Sequence, residues 1–262
     1  MKRRIWLTGA SSGIGLVLAE ELLRAGHRLA LTARSLEPLQ ALDKRFPHQV
    51  LLVPGDISDG EQVSAIGNRI AEIWGALDTV ILNAGTCEYI DAKQFDAAMM
   101  ERVIHTNLIA TSYCIQEALN LLRLGKRPHL VGVASSVAFL PLTRSEAYGA
   151  SKAGLRYLYQ SLRIDVADEG IDVTIVSPGF VDTPLTAKND FPMPMRWSAE
   201  KAGRYIFERL EVARRPLEIS FPWAFITTLK LLALLPERAQ LAIGKRMTRS
   251  ARDTSSEPGS AQ

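Results

Sequence analysis

Short apolar runs that alternate with helix-length segments constrain the fold of this sequence more than any other feature. The runs cover residues 3–8, 28–33, 49–54, 78–83, 129–135 and 172–177, with a last one near 216–220. Each run is almost continuously apolar, which is typical of parallel strands that are covered on both faces. The order predicts an α/β fold: one doubly wound domain with a mainly parallel, seven-stranded sheet and helices on both faces.

The composition predicts an ordinary soluble domain. The chain has 262 residues, of which 47% are hydrophobic and 23% are charged, and its formal net charge is +3. That charge is too small to indicate nucleic-acid binding, and no nucleic-acid-binding motif is present. Cys87 and Cys114 do not have the spacing of a disulfide framework or a metal site, and the first apolar run is too short for a signal peptide. We therefore expect a cytoplasmic protein without a metal.

A glycine-rich turn, TGASSGIG at residues 8–15, joins the first strand to the first helix. Glycines here allow a tight turn and a close approach of the backbone to a pyrophosphate, which the N–H groups of the following helix then face. Because the turn lies in the first strand–helix unit, it predicts a dinucleotide site rather than a purely structural turn. The residues expected to contact the cofactor are Gly9, Ser11, Ser12, Gly13, Ile14 and Gly15.

The glycine spacing, TGxxxGxG, and several later motifs resemble the short-chain dehydrogenase/reductase family. The later motifs follow in the family's order: LNAG (82–85), with Leu82 replacing an Asn, then Asn107, the serine pair 135–136, YGASK (148–152) and SPGFVDT (177–183). The resemblance implies a Rossmann-type domain over residues 1–220 that binds NADP(H) and carries the catalytic residues. It also implies cofactor contacts from Asp56, Ile57, Asn83, Ala84, Gly85, Tyr148, Lys152, Pro178, Gly179, Val181 and Thr183.

Tyr148 and Lys152 are four residues apart, so they lie on one face of a helix. A cation one turn from a phenol favours the phenolate and is expected to lower the pKa of the tyrosine. The resemblance implies that Tyr148 donates or accepts the proton, that Lys152 also holds the nicotinamide ribose, and that Asn107 holds a water linked to Lys152. It implies one serine that orients the substrate oxygen. The family's usual separation between this serine and the tyrosine favours Ser135, whereas alignment on the residues SS-x-A favours Ser136.

The end of the second strand bears on the choice of nicotinamide cofactor. A carboxylate at this place would bond the adenosine ribose and reject a 2′-phosphate, but the sequence reads TARS, with no acid before Glu37. The Arg34 guanidinium suits a phosphate, and Ser35 adds a hydroxyl. The alternative is an ordinary surface arginine. We therefore expect NADP(H), with NAD(H) as the alternative.

The resemblance implies hydride transfer between NADP(H) and a carbonyl compound or secondary alcohol. The alternative is a catalytically silent NADP(H)-sensing or scaffold protein, which would have no reason to keep the four candidate catalytic residues in register. Residues 184–195, rich in Pro and Met, lie where the family has a substrate lid and indicate an apolar substrate, although Met-rich loops also simply pack. A homodimer or homotetramer is expected through helices within 99–124 and 149–168.

The C-terminal region departs from the strand–helix repeat. Residues 221–249 predict a helical extension of the domain, and the polar residues 250–262 predict a disordered tail. Thirteen mostly apolar residues lie between Pro222 and Pro236, and a basic segment follows. The favoured interpretation is that this region packs beside the substrate pocket or in a subunit interface. Contact of residues 221–252 with an anionic membrane surface is the alternative.

Overall fold

The computed structural model describes residues 2–253, with side chains to residue 245. Among these residues, seven parallel strands form one sheet in the order β3-β2-β1-β4-β5-β6-β9. The strands of this sheet are β1 (Arg4–Thr8), β2 (Arg28–Thr32), β3 (Val50–Leu52), β4 (Thr79–Leu82), β5 (His129–Val133), β6 (Asp172–Pro178) and β9 (Glu218–Phe221). The predicted doubly wound, parallel sheet is confirmed. A short parallel pair, β7 (Val181–Asp182) and β8 (Trp197–Ser198), lies outside it.

Helices connect successive strands and cover both faces of the sheet. They are α1 (Gly13–Arg24), α2 (Glu37–Arg45), α3 (Gly60–Trp74), α4 (Ala97–Ile104), α5 (Ala110–Leu122), α6 (Glu146–Asp165), α7 (Ala199–Leu210), α8 (Trp223–Ala233) and α9 (Glu237–Asp253). Local chemistry fixes their ends. Asp59 caps α3 by accepting hydrogen bonds from the N–H groups of Glu61 and Gln62, and Gly26 turns the chain after α1 with φ +83°.

Strand β1 shows why its apolar run is continuous. The side chains of Ile5 and Leu7 lie in a core with residues of α1, α2 and α7, whereas Trp6 lies in a second core with residues of α3, α5 and α6. Because successive side chains of a strand point to opposite faces, both faces of the sheet must be covered. The order of the strands reverses between β1 and β4, and ligands of such sheets bind in the crevice at the carboxyl ends of these strands.

The C-terminal region forms α8 and α9. Helix α8 buries Ile226 and Leu229 against the domain. Helix α9 extends to Asp253 and so enters the segment predicted to be disordered, while residues 254–262 of that segment lie outside the described residues. In the described part of the chain, none of the helices has the length and the apolar character needed to span a membrane. Contact with a membrane surface stays a prediction.

Candidate active site

The glycine turn after β1 is packed too tightly to carry side chains at two positions. Gly9 has φ +68°, and a Cβ there would lie 2.8 Å from Cα of Ala84. A Cβ on Gly15 would lie 2.1 Å from the carbonyl oxygen of Gly9. The turn therefore brings backbone, rather than side chains, to the crevice between β1 and β4, which is the arrangement that a pyrophosphate needs.

The first turn of α1 offers its N–H groups to an anion. The side chain of Ser12, the N-cap residue, makes no capping hydrogen bond, and the first turn contains no acidic residue. These amides carry the positive end of the helix dipole. A Cβ on Gly13 would lie 3.1 Å from Cγ2 of Thr183, so the segment after β6 lies directly against the turn. Ser11 and Ile14 flank these residues and are partly exposed.

The LNAG segment after β4 connects the glycine turn to the candidate catalytic residues. Asn83 donates from Nδ2 to the carbonyl oxygens of Thr8 and Gly9 at 3.2 and 3.1 Å. The Thr8 hydroxyl accepts from the N–H groups of Asn83 and Ala84 at 3.1 and 3.2 Å. Two residues further on, a Cβ on Gly85 would lie 3.0 Å from Asn107 Oδ1 and 3.4 Å from Lys152 Nζ. Gly85 thus borders both groups of residues.

Asn107 lies on a π-helical turn, His105–Ile109, between α4 and α5. Its Oδ1 accepts from the N–H of Thr86 at 2.7 Å, and its Nδ2 donates to the carbonyl of Thr86 and to Ser151 Oγ, both at 2.9 Å. Both amide hydrogens are therefore donated to protein groups, which leaves only acceptor sites for a water. Ser151 in turn donates to the carbonyl of Tyr148 at 2.7 Å. This chain of hydrogen bonds ties the loop after β4 to α6.

Lys152 is buried one turn after Tyr148 on α6. Its Nζ donates to the carbonyl of Val133 at 3.0 Å and lies 5.7 Å from the ring centroid of Tyr148. Burial lowers the pKa of Lys152 to about 8, because a buried ammonium loses hydration, and the nearby Cys87 opposes this shift. The predicted neighbourhood of the phenol and the cation is therefore present.

The pKa of Tyr148 differs from the expectation. Burial raises it well above the usual range, and the nearby Cys87 raises it further. A side-chain hydrogen bond with Ser135 lowers it, but by less. Burial and Cys87 together disfavour the charged phenolate more strongly than Ser135 favours it, so the prediction of a lowered pKa is wrong for this state of the protein.

The two serines at the end of β5 differ in the contacts that their side chains make. Ser135 Oγ accepts from the N–H of Val137 at 3.3 Å and lies close enough to the Tyr148 phenol to lower its pKa. Ser136 lies in the short 3₁₀ turn that follows, and its side chain makes no such bond within the described residues. The arrangement therefore favours Ser135, the serine indicated by its separation from the tyrosine.

The remaining predicted cofactor residues lie at the same edge of the sheet. Arg34 and Ser35 are exposed directly after β2. Asp56 Oδ1 accepts from the N–H of Ser58 at 2.9 Å, a hydrogen bond that is common for an Asp in a turn. Ile57 is buried in the core. At the end of β6 the N–H of Gly179, after Pro178, donates to the carbonyl of Phe221 at 2.7 Å, and Val181 is buried.

Aromatic side chains from four segments form one cluster, whose members are Tyr89 after β4, Phe180 after β6, Phe191 in the Pro-rich segment and Phe225 on α8. Ring centroids are 5.2 Å apart for Tyr89 and Phe191, 6.1 Å for Phe180 and Phe191, and 5.4 Å for Phe180 and Phe225. Cys87, which interacts electrostatically with Tyr148 and Lys152, makes a side-chain hydrogen bond with Tyr89. Through Cys87 and Tyr89, the aromatic cluster therefore adjoins the candidate catalytic residues Tyr148 and Lys152.

Polar contacts fasten the Pro-rich segment 184–195 to this cluster. Arg144 donates from Nη1 to both carboxylate oxygens of Asp190 at 2.7 and 2.8 Å, and its guanidinium lies 5.7 Å from the Tyr89 ring centroid. The Tyr89 hydroxyl donates to Asn189 Oδ1 at 2.9 Å. Segment 184–195 contains no regular helix, as its prolines predict. We call these contacts the lid latch.

Sequence reasoning missed several residues of the site. Cys87, Tyr89 and Arg144 belong to no motif, and Ser151 lies inside YGASK at a position to which the motif gives no role; only the contacts made after folding bring these residues together. The position of Ser151 one residue before Lys152 could have drawn attention to it. Among the described side chains, no group of His, Cys, Asp or Glu has the arrangement of a metal site.

Known proteins share both the sequence and the architecture of this chain. The sequence profile of the short-chain dehydrogenases matches residues 3–192. An uncharacterised oxidoreductase of Myxococcus xanthus is 35% identical over 249 residues, which cover 94% of this chain and 97% of that protein. A cis-4-hydroxycyclohexanecarboxylate dehydrogenase of Sinomonas cyclohexanicum is 31% identical over 225 residues, or 85% of this chain and 88% of that protein. The Pseudomonas aeruginosa RhlG/NADP active-site complex superposes with a TM-score of 0.75 and 25% identity over 86% of this chain and 96% of that one.

Proposed function

Since the chain belongs to the short-chain dehydrogenase/reductase family, we propose that it transfers a hydride between NADP(H) and a carbonyl compound or secondary alcohol. One observation carries the proposal. Ser135 acts on the Tyr148 phenol and Lys152 lies one helical turn away from it, while the tight glycine turn after β1 lies beside the same segment after β4.

The residues of the crevice fit the cofactor. The N–H groups of Gly13 to Gly15 would hold its pyrophosphate, and Thr183, which lies against that turn, would help to hold the nicotinamide end. Once bound, the nicotinamide supplies or accepts the hydride. Arg34 supports a preference for NADP(H), because its exposed guanidinium has no carboxylate within ion-pair distance among the described side chains and so is available for a 2′-phosphate.

The proton chemistry follows from the raised pKa of Tyr148. At neutral pH the phenol is protonated, which is the form that donates a proton to a carbonyl oxygen as negative charge develops there. Ser135 orients that oxygen with its hydroxyl. The Lys152 ammonium stabilises the phenolate left behind, and Asn107 fixes the position of α6 through Ser151. In this assignment Tyr148, Ser135 and Lys152 are catalytic, and Asn107 is a positioning residue.

The aromatic cluster supports an apolar substrate of about the size of a ring. Phe180, Phe191 and Phe225 are half-buried and form a chain of ring contacts that reaches Tyr89, which interacts with Tyr148. The Sinomonas relative is named for an alcohol on a cyclohexane ring. We therefore include cyclic ketones and cyclic secondary alcohols among the candidate substrates. The same proposal places the protein in the cytoplasm, where its two free cysteines stay reduced.

The test is a spectroscopic screen with the purified protein. Consumption of NADPH is followed with a panel of cyclic, aromatic and aliphatic ketones and aldehydes, and formation of NADPH is followed with the matching alcohols. We expect turnover of at least one apolar ketone and faster turnover with NADPH than with NADH. Arg34→Ser is expected to reduce this preference, while Lys44→Ser, an exposed cation on α2, is the matched control. Cofactor binding without turnover across the panel would instead favour the silent sensor.

A further inference from the structure

The amino-terminal edge of the sheet carries a concentration of positive charge that the proposed reaction does not use. Strands β1 and β2 begin there with Arg4 and Arg28, and the candidate active site lies at their other ends. Because a strand rises about 3.3 Å per residue, five residues separate the two edges by roughly 16 Å. Two adjoining cavities open at this edge, with volumes of about 320 and 110 Å³, and Arg3 and Lys126 line both.

The larger cavity is lined by cations and a single carboxylate. Its lining residues are Lys2, Arg3, Arg4, Arg28, Asp78 and Lys126. Asp78 is already satisfied, because Arg4 donates to it from Nε and Nη2 at 3.1 and 2.9 Å, and the N–H groups of Arg4 and Lys126 donate at 2.8 Å each. Because these bonds occupy the Asp78 carboxylate, it neutralises little of the positive charge of the other cations in this cavity.

The smaller cavity adds Arg127, Arg215 and a carboxylate, Glu211, which forms an ion pair with Arg3. Arg215 pairs with Asp172 at 2.9 Å and donates to the carbonyls of Pro128 and Arg127 at 2.8 and 2.6 Å. Arg127 donates to the carbonyl of Ala213 at 3.0 Å. Glu211, Asp78 and Asp172 each pair with one arginine, Arg3, Arg4 and Arg215. Among the described side chains no carboxylate pairs with the other four cations, so the cluster keeps a net positive charge; these cations are Lys2, Arg28, Lys126 and Arg127.

Three cations of the larger cavity remain without an acidic partner. Among the described side chains, no carboxylate lies within ion-pair distance of Lys2, Arg28 or Lys126. Arg28 instead lies over the ring of Trp74, with 5.0 Å between its Cζ and the ring centroid. That contact orients the guanidinium without neutralising it. These three side chains line the cavity with donors that are free to bind an anion.

The positive charge of the cluster contributes to lowered pKa values of buried groups around it. Burial and then Arg215 lower the pKa of Arg3 to about 10. Burial and then Arg3 lower the pKa of His27 to about 4, and the pKa of His129 falls well below its usual range through burial, Arg215 and Arg3. Like charges thus disfavour one another here, and a bound anion would relieve that repulsion.

We propose that the larger cavity binds a small, multiply charged anion with phosphate groups, such as a diphosphate ester. Planar guanidinium groups and ammonium groups from β1, β2 and the loop before β5 surround one concave space, which is the donor set that phosphate oxygens require. The site is separate from the cofactor crevice, since it lies at the opposite edge of the sheet.

Isothermal titration with pyrophosphate, at an ionic strength held constant with sodium chloride, tests the proposal. Because the glycine turn is a second phosphate-binding place, the design uses variants of both sites. The double variant Arg28→Gln/Lys126→Ser is expected to weaken binding at the cavity by at least about tenfold, as expected when charged hydrogen bonds are lost. Arg34→Ser, at the cofactor crevice, and Arg69→Ser, on the exposed face of α3, are expected to leave that binding unchanged.

Three results would overturn the proposal: no binding by the wild-type protein, unchanged affinity in the double variant, or binding that only Arg34→Ser abolishes. The variants avoid Arg4 and Arg215, whose bonds hold the strand ends together, so the fold should be retained. If the double variant nevertheless fails to fold, Lys126→Ser alone must weaken binding several-fold, and unchanged affinity in that variant contradicts the proposal equally.

Discussion

At the scale of single residues, Ser135 is the serine whose hydroxyl lowers the pKa of the Tyr148 phenol. Ser136, its neighbour, instead lies in the following 3₁₀ turn. Ser135→Ala should lower kcat for carbonyl reduction about a hundredfold or more, because it removes a hydrogen-bond donor from the substrate oxygen. Ser136→Ala is the matched control and should keep kcat within about threefold. Steady-state kinetics of both variants tests this assignment. A larger loss of kcat in Ser136→Ala than in Ser135→Ala would assign the catalytic role to Ser136 instead.

The depressed pKa of Lys152 predicts a pH dependence. Its pKa is lowered to about 8, so the ammonium loses its proton at a lower pH than a solvated lysine does. Below this value kcat/KM for carbonyl reduction should be constant, and above it the rate should fall about tenfold per pH unit, because a neutral amine does not stabilise the phenolate. Tyr148, whose pKa is raised, stays protonated throughout.

The pH–rate profile of Lys152→Arg serves as the comparison. A guanidinium keeps its charge at pH 8 and above, so any activity that this variant retains should lack the fall. A wild-type profile that stays flat well above pH 8 would contradict the role given to Lys152.

Sequence patterns predicted the positions of these residues better than their chemistry. The spacing of Tyr148 and Lys152 fixes their common helix face whatever the surroundings, and the structure places them there. The direction of the pKa shift of Tyr148 depends on how far burial outweighs the neighbouring groups. Burial is the sum of contacts from distant segments, and no local spacing contains it. Cys87 and Ser151 were missed for the same reason.

At the scale of elements, the helical region 99–124 is divided into two α-helices. A π-helical turn at His105–Ile109 separates α4 from α5 and carries Asn107. Such turns occur at functional sites because they redirect one side chain out of the helical repeat. Here the redirected amide reaches Thr86 and Ser151. One extra residue shifts the apolar pattern by about 100°, and helical periodicity over residues 99–124 cannot show this because each half of the region contains only a few turns.

The lid latch makes a prediction at this scale. Arg144→Ala removes the ion pair with Asp190 and the contact with the Tyr89 ring. Because both partners of the ion pair are exposed, the loss in stability should be within about 1 kcal/mol. We expect KM to rise about threefold and kcat to change little, since a weaker latch populates open lid conformations.

The control for the latch is Arg69→Ala, which removes an equally exposed ion pair, with Glu72, on α3. It should leave KM unchanged. An Arg144→Ala variant with wild-type KM for every accepted ketone would show that the latch does not act on substrate binding.

At the scale of the whole molecule, the architecture could be predicted because it depends on repeated patterns. All seven strands of the sheet coincide with predicted apolar runs, and their ends differ by a few residues at most. Strand ends depend on which hydrogen-bonding partners are in register; β3, for example, pairs with β2 over only three residues. The basic cavity was not predicted, because its cations come from strand starts and loops far apart in the sequence.

The exposed face of α6 predicts self-association. Tyr157 and Ile164, seven residues apart on this helix, are both 76% exposed. Large apolar side chains on one helix face are typical of an interface, and we expect a homodimer or homotetramer formed through α6. Tyr157→Glu/Ile164→Glu should shift sedimentation velocity to the monomer. Ile73→Glu on α3, where the side chain is also exposed, is the control, and a wild-type monomer would contradict this expectation.

The measurement that tests the central claim most directly compares Tyr148→Phe with the wild-type protein in cofactor binding and in turnover of the same ketone. The substitution removes one hydroxyl and leaves the ring in place. We predict that the Kd for NADPH, measured by cofactor fluorescence, stays within about twofold, and that kcat/KM falls at least a hundredfold, as expected for loss of a general acid. Turnover by Tyr148→Phe within about tenfold of wild type would contradict the assignment of Tyr148 as the proton donor.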